Sequence, residues 1–384
     1  EREGLLDTPS RVARAYADNC WAAGITWTYG RFGNNVVEHL APRGHQVILS
    51  IGWNGWNPIG GEMQDFYEAH PDLHALDFAG ETVRFFCPTW FLSDDAAPVR
   101  GMFERWLLDA VNSAPYAGAD WDLEQPVVDP PTFCTCERCL TAFREFAALD
   151  RRTELNPELL LGEYRARWVD FRCTQNATMA GLIKAMLAGA EREIEFSIYS
   201  GFQSLRTMEH YGVDWAKLAP HIDMAIAGYG GSAESVAATV EALGDTPLMG
   251  GEMWYLSHNN DARPAPRMET WRNRVLRKFV ESGCIGVLIW WLPPMDGGSF
   301  YATSEAAALI AEYEDWLVHE RRCDERVTVE GLDARDWAAF ERDGRVLVLL
   351  MSFEDAPVEL TVTVDGEARP VALEPYGTEV LVVD

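Results

Sequence analysis

An α/β fold, a (β/α)8 TIM barrel followed by a small antiparallel β-sandwich domain, is predicted by three features of the sequence. Short segments rich in β-branched and aromatic residues alternate with longer amphipathic segments over most of the 384 residues, the signature of a βα repeat with a parallel sheet. Eight such β-rich segments occur, the number that closes a barrel. After about Cys323 the helical periodicity stops, and Asp-Gly turn signals separate alternating strands. The expected division is therefore a barrel over 1–322 and an all-β domain over 323–384. At about 60 residues the second domain should lean on the first for stability.

In chain order the predicted strands are GITWTYG (24–30), HQVILSIGW (45–53), TVRFFC (82–87), GADWDLE (118–124), EIEFSIYSG (193–201), IDMAIAGYG (222–230), TPLMGGEMWY (246–255) and IGVLIWWL (285–292). Between them, VRGMFERWLLDAVNSA (99–114), the stretch 157–190 and SAESVAATVEALG (232–244) repeat apolar residues at three- and four-residue steps, which predicts helices. YATSEAAALIAEYEDWLVHERR (301–322) reads as the last helix before the pattern changes. Beyond it, Asp343–Gly344 and Asp365–Gly366 mark two hairpins.

Charge and composition narrow the function. The net charge is −28, and Lys184, Lys217 and Lys278 are the only lysines among 32 basic residues. Such a surface repels nucleic acid and anionic membranes, so neither is expected as a partner. No apolar run approaches the roughly 20 residues that span a bilayer. The N-terminal EREGLLDTPSRVARAYADN is charged and has no apolar core, which predicts a cytoplasmic, unexported protein. A homo-oligomer is compatible with this composition.

Barrel enzymes carry their chemistry where strands end. WDLE ends in Glu124, with Asp122 two residues earlier on the same face by strand alternation, and GGEMWY places Glu252 near the end of a later strand. Two carboxylates on facing strands suit glycoside hydrolysis: one protonates the leaving oxygen and the other attacks or activates water. Taken singly, each is also what a solvated strand-end acid looks like. Aromatic residues gather at the same strand ends: Trp53 and Trp56, Tyr229, Trp254 and Tyr255, and Trp290 and Trp291. Their faces are expected to stack on sugar rings, although about half should be packing residues, since adjacent strand residues face opposite ways.

Cys134, Cys136 and Cys139 stand in FCTCERCLTAF, and a closed structural zinc site needs four ligands. Cys87 in FFCPTW is the leading candidate for the fourth, leaving Cys20, Cys173, Cys284 and Cys323 as buried thiols. A thiolate-only site of this kind holds a loop and does not catalyse.

These residues together resemble the β-galactosidases of glycoside hydrolase family 42, retaining barrel hydrolases. The resemblance lies in Asp122-Leu123-Glu124-Gln125, in Cys134-Thr135-Cys136-Glu137-Arg138-Cys139, in Ala142-Phe143-Arg144 and in HPDLHALDFAGETVRFFCP (70–88). It implies Glu124 as acid/base, Glu252 as nucleophile, and a structural Zn2+ on Cys87, Cys134, Cys136 and Cys139. It also makes GITWTYG the second strand and puts TVRFFC in a loop, whereas strand counting makes TVRFFC a barrel strand; both readings stand at this point. The family's asparagine before the acid/base is Leu123 here, and the tyrosine after it is Gln125. Leucine cannot bind the sugar 2-hydroxyl that the asparagine is expected to contact.

The function expected is thus an exo-acting retaining β-glycosidase. Glu124 would need a raised pKa, supplied by the Glu252 charge and by burial under aromatics, while Asp122 orients the site from one layer down. The rival is a catalytically decayed carbohydrate-binding barrel, with Leu123 as its support. A zinc hydrolase is disfavoured because no HExxH occurs. Asn176-Ala177-Thr178 matches a glycosylation acceptor within a helical stretch, GYGGS (228–232) is a poor phosphate loop, and His258 reads as a surface residue.

Overall fold

A computed structural model describes residues 18–30, 34–52, 56–124, 134–254, 268–290 and 295–384. Its strands are β1 Trp27–Gly30, β2 Gln46–Ser50, β3 His74–Leu76, β4 Thr82–Phe86, β5 Gly118–Asp122, β6 Glu195–Ser200, β7 Met224–Ala227, β8 Leu248–Met253 and β9 Val287–Trp290. The C-terminal strands are β10 Arg321–Arg322, β11 Val327–Glu330, β12 Trp337–Arg342, β13 Arg345–Met351, β14 Val358–Val364, β15 Glu367–Leu373 and β16 Thr378–Val383. Seven strands form one sheet in the order β1-β2-β5-β6-β7-β8-β9, with parallel register at β1–β2, β2–β5, β5–β6 and β8–β9. Helices lie between its strands along the chain, as the βα repeat predicts. The fold class is that of the TIM barrel with antiparallel sheets at the C-terminus.

One predicted barrel strand is corrected. TVRFFC forms a strand, β4, but it pairs antiparallel with β3 in a separate two-stranded sheet. Asp77 closes this hairpin: its amide donates to Glu81 O (2.9 Å), and its Oδ1 accepts from the amides of Ala79 and Glu81 (2.8 Å each). Among the described residues the parallel sheet therefore has seven strands, as the family resemblance reads this stretch.

The chain divides into two compact units. The first comprises Trp27–Ile226 with Ala238–Pro247. Its helix Ala97–Asn112 buries Val99, Phe103, Leu107 and Val111, one stripe at four-residue steps. All five residues of β5 are buried, as in a central strand covered on both faces.

The second unit comprises Ala227–Ala237 and Leu248–Asp384 with the described part of Tyr16–Thr26. Here β10-β12-β13-β16 form one antiparallel sheet and β11-β14-β15 another. Alternation along β13 serves two cores. Val346, Val348 and Leu350 join Leu360, Val362 and Leu373 between the sheets, while Leu347, Leu349 and Met351 join Leu276 and Phe279 of helix Met268–Glu281. That second face is why the β layers lean on helices. Both Asp-Gly turns have positive φ at each central residue, Asp343 52° with Gly344 80° and Asp365 50° with Gly366 88°, the two-residue hairpin geometry that Asp-Gly predicts.

Candidate active site and metal centre

In the first unit, β5 carries a column of acids. Asp120 is fully buried; its Oδ2 accepts from Ser197 Oγ (2.7 Å), and its Oδ1 has no partner among the described residues. Asp122 stands two residues on, 8% exposed, with its Oδ1 equally unpartnered. Burial raises the Asp120 carboxyl to about 7. It raises Asp122 to about 8, with the Glu124 and Asp120 charges adding to the effect. Glu124, just past the strand, is half-buried. Leu123 between them is fully buried; its amide donates to Tyr199 O (2.8 Å) and its carbonyl accepts from Ser200 Oγ (2.8 Å). The side chain at this position offers a ligand no hydrogen bond.

In the second unit, Glu252 lies within β8, 5% exposed, and Arg274 of helix Met268–Glu281 donates to its Oε1 and to Met253 O (3.0 Å). The glycines before it are needed for close approach: a Cβ on Gly251 would sit 2.6 Å from Gly228 Cα. Lys278, 2% exposed, donates to Gly230 O, and burial lowers its pKa.

The predicted aromatic set divides. Tyr229, which follows a cis peptide bond, and Trp290 are both half-buried, with ring centroids 6.1 Å apart. Trp254 is a packing residue: it is 6% exposed, and its indole donates to Ser299 Oγ (2.6 Å). Trp56 is fully buried, edge-on to Phe91 and donating to Asn176 Oδ1 (3.3 Å), so it presents no face to a sugar. Trp53, Tyr255, Trp291 and His258 lie outside the described residues. Asn176 is 1% exposed and also donates to Gly212 O (2.9 Å), which removes it as a glycosylation acceptor.

The cysteine cluster is assembled within the first unit. The β3–β4 hairpin delivers Cys87, whose amide donates to Leu73 O (2.8 Å), and Thr135 N donates to Leu76 O (2.7 Å), which brings in the other three. The Sγ atoms of Cys87, Cys134, Cys136 and Cys139 lie within 4.8 Å of one another, with Cys87 3.4 Å from Cys136 and 3.6 Å from Cys139. A tetrahedral ion bound at about 2.3 Å from each sulfur sets them about 3.8 Å apart, so this donor set fits a four-thiolate metal site. Burial opposes ionisation of Cys139, but sulfur hydrogen bonds from Cys134, Cys136 and Cys87 and the Arg172 charge outweigh it and hold this thiol well below its ordinary value. Arg172 is 1% exposed, stacks over Trp168 (4.1 Å to the centroid) and donates to Cys134 O.

Arg274, Asp120 and Arg172 were not singled out by sequence reasoning. Asp120 carried a signal, the D-x-D-x-E spacing on one strand face. The arginines carried none, since each reaches its partner from a distant helix. Among the described residues no helix is long and apolar enough to cross a membrane.

No family model and no curated protein matches the sequence. Solved structures do. A family-42 β-galactosidase from G. stearothermophilus, a catalytic mutant, superposes with TM-score 0.67 at 10% identity over 100% of this chain and 97% of its own. A β-galactosidase from the psychrophilic Marinomonas ef1 gives 0.57 at 14% identity over 80% of this chain and 58% of its own. An α-L-fucosidase from Paenibacillus thiaminolyticus gives 0.53 at 12% identity over 84% of this chain and 49% of its own. The chain thus spans about half the length of the last two. At these identities the likeness establishes a glycoside-hydrolase-like fold.

Proposed function

We propose that this chain is a retaining, exo-acting glycoside hydrolase that cleaves β-glycosidic bonds in the manner of a β-galactosidase. Glu124 donates a proton to the glycosidic oxygen while Glu252 attacks the anomeric carbon; Glu124 then takes a proton from the water that releases the sugar. The observation that supports this reading most is Glu252 itself: a carboxylate 5% exposed on a parallel strand and held by the Arg274 guanidinium is fixed in one orientation, as suits a nucleophile. Asp122, raised to about 8, is protonated at neutral pH and so places no full negative charge beside Glu124. Tyr229 and Trp290 provide the stacking surface.

The proposal extends to the remaining parts. Residues 1–322 form the catalytic barrel and 323–384 the β domain. The four cysteines hold a structural Zn2+ that joins the β3–β4 hairpin to the segment bearing Cys134, Cys136 and Cys139 and takes no part in turnover. The protein acts in the cytoplasm on a carbohydrate, without nucleic acid or membrane, and is compatible with a homo-oligomer.

One observation favours a second reading, a carbohydrate-binding barrel without turnover: the fully buried Leu123, where the resembled family has asparagine. Chromogenic aryl glycosides, β-galactoside included, separate the two when wild type is compared with Glu124→Gln and Glu252→Gln. The hydrolase reading expects each variant to lose at least about a thousandfold in kcat. A wild type that binds sugars with no turnover contradicts it.

A further inference from the structure

We propose that Cys136 is an oxidation site, the thiolate through which a small neutral oxidant opens the four-cysteine cluster by closing a Cys87–Cys136 disulfide. This rests on the metal reading of the cluster and is independent of the glycosidase reading.

The four sulfurs are not equivalent. Cys87, Cys134 and Cys139 are fully buried, whereas Cys136 is half-buried and lines a cavity of about 370 Å3 shared with Phe78 and Leu140. Cys139 is further shielded by donors: Thr89 Oγ1 at 3.1 Å and Arg172 Nη1 at 3.8 Å both point at its sulfur. A thiolate that accepts such hydrogen bonds and sees no solvent is a poor nucleophile, so attack falls to the accessible one. Asp77 and Glu137 also line the cavity. Their charge disfavours anionic reagents and leaves a neutral peroxide unhindered.

Geometry then selects the partner. The Cys87 and Cys136 sulfurs are 3.4 Å apart, in hydrogen-bond contact, and the pair must close by about 1.4 Å to reach the disulfide length of about 2.05 Å. The Cys136 thiolate attacks one oxygen of hydrogen peroxide; the O–O bond breaks, a sulfenic acid forms and hydroxide leaves. The Cys87 thiolate attacks that sulfur; the S–S bond forms, the S–O bond breaks and a second hydroxide leaves. Two sulfurs have given two electrons to one peroxide. Cys134 and Cys139 alone cannot complete a four-ligand site, so metal is released.

The test uses the full chain, reconstituted with zinc(II), freed of excess metal and assayed for metal content. Substoichiometric iodoacetamide followed by peptide mapping should place at least about tenfold more label on Cys136 than on any of the other three. Hydrogen peroxide should release one zinc per disulfide formed, the disulfide should map to Cys87–Cys136, and dithiothreitol with zinc should reverse both. Thr89→Val keeps all four ligands and should increase labelling of Cys139 while Cys136 still leads. Label falling first on another ligand, a different disulfide, or zinc retained after Cys136 is oxidised would overturn the proposal. A chain that holds no zinc would remove the metal reading and this one together, leaving the glycosidase reading untouched.

Discussion

Asp120 and Asp122 dominate the electrostatics of the β5 end. Both folded-state pKa values lie above the ordinary carboxylate value of 3.8, at about 7 and about 8. A buried acid shifted upward favours the fold most when protonated. Its contribution is fully present below about pH 4 and is lost as pH rises through 7 for Asp120 and through 8 for Asp122. Asp120→Asn keeps an acceptor for Ser197 and removes the charge. It should raise stability at pH 8 by about 2–4 kcal/mol and flatten the fall between pH 5 and 8, read by urea unfolding at both pH values. An unchanged slope would mean that Asp120 titrates normally. Only part of this site is legible in the sequence. Glu124, Cys134, Cys136 and Cys139 stand out by local spacing, Glu252 by strand order and Cys87 as a candidate fourth ligand, but Trp56 and Trp254 resemble Tyr229 and Trp290 until their packing is known. Arg274 meets Glu252 from 22 residues away. Local spacing cannot report that.

The β4 strand shows the same boundary at the scale of elements. TVRFFC is strand-forming, and a strand forms, but β propensity does not state which partner a strand takes. The Asp77–Gly80 turn, with Gly80 at φ 79°, is the hairpin signal; the family resemblance takes this stretch out of the barrel, as observed, but as a loop and not as the strand it forms. Withdrawing β4 from the parallel sheet has a purpose, because the hairpin carries Cys87 and gives Thr135 an edge to bond. The C-terminal strands were legible because Asp-Gly fixes both turn and register. What alternation alone did not show is that β13 is covered on both faces. Asn273 is the polar clamp of that covering: fully buried on helix Met268–Glu281, it donates to Ser352 O (2.7 Å) and Tyr376 O (3.0 Å) and accepts from Thr378 Oγ1 (2.7 Å). Asn273→Ala would leave the buried Ser352 O without this donor and remove the bonds to half-buried Thr378 and to Tyr376 O, which keeps Arg272 Nη2 (2.8 Å), and should cost about 1–3 kcal/mol, measured by chemical denaturation. A loss below about 0.5 kcal/mol would show that water or rearrangement replaces them.

For the molecule as a whole, periodicity and composition carried the fold class. The seven parallel strands and two antiparallel sheets follow the predicted alternation, and the likeness to solved glycosidases at 10–14% identity agrees with it. Sugar and linkage depend on side chains converging from many loops, so they were not legible. The metal centre supplies a test of architecture. Chelation of the metal-loaded protein should lower Tm by about 5 °C or more and be reversed by zinc, since a closed thiolate site contributes folding energy. An unchanged Tm would relieve the cluster of any structural role. Glu252 is the proposed nucleophile of a retaining barrel glycosidase. That role is tested most directly by incubating the protein with a panel of activated 2-deoxy-2-fluoro β-glycosides, galactoside included, and mapping the adduct by mass spectrometry. One sugar should be bound covalently per chain, on Glu252, with activity lost in step. A label on another residue, or hydrolysis without any trapped intermediate, would contradict it.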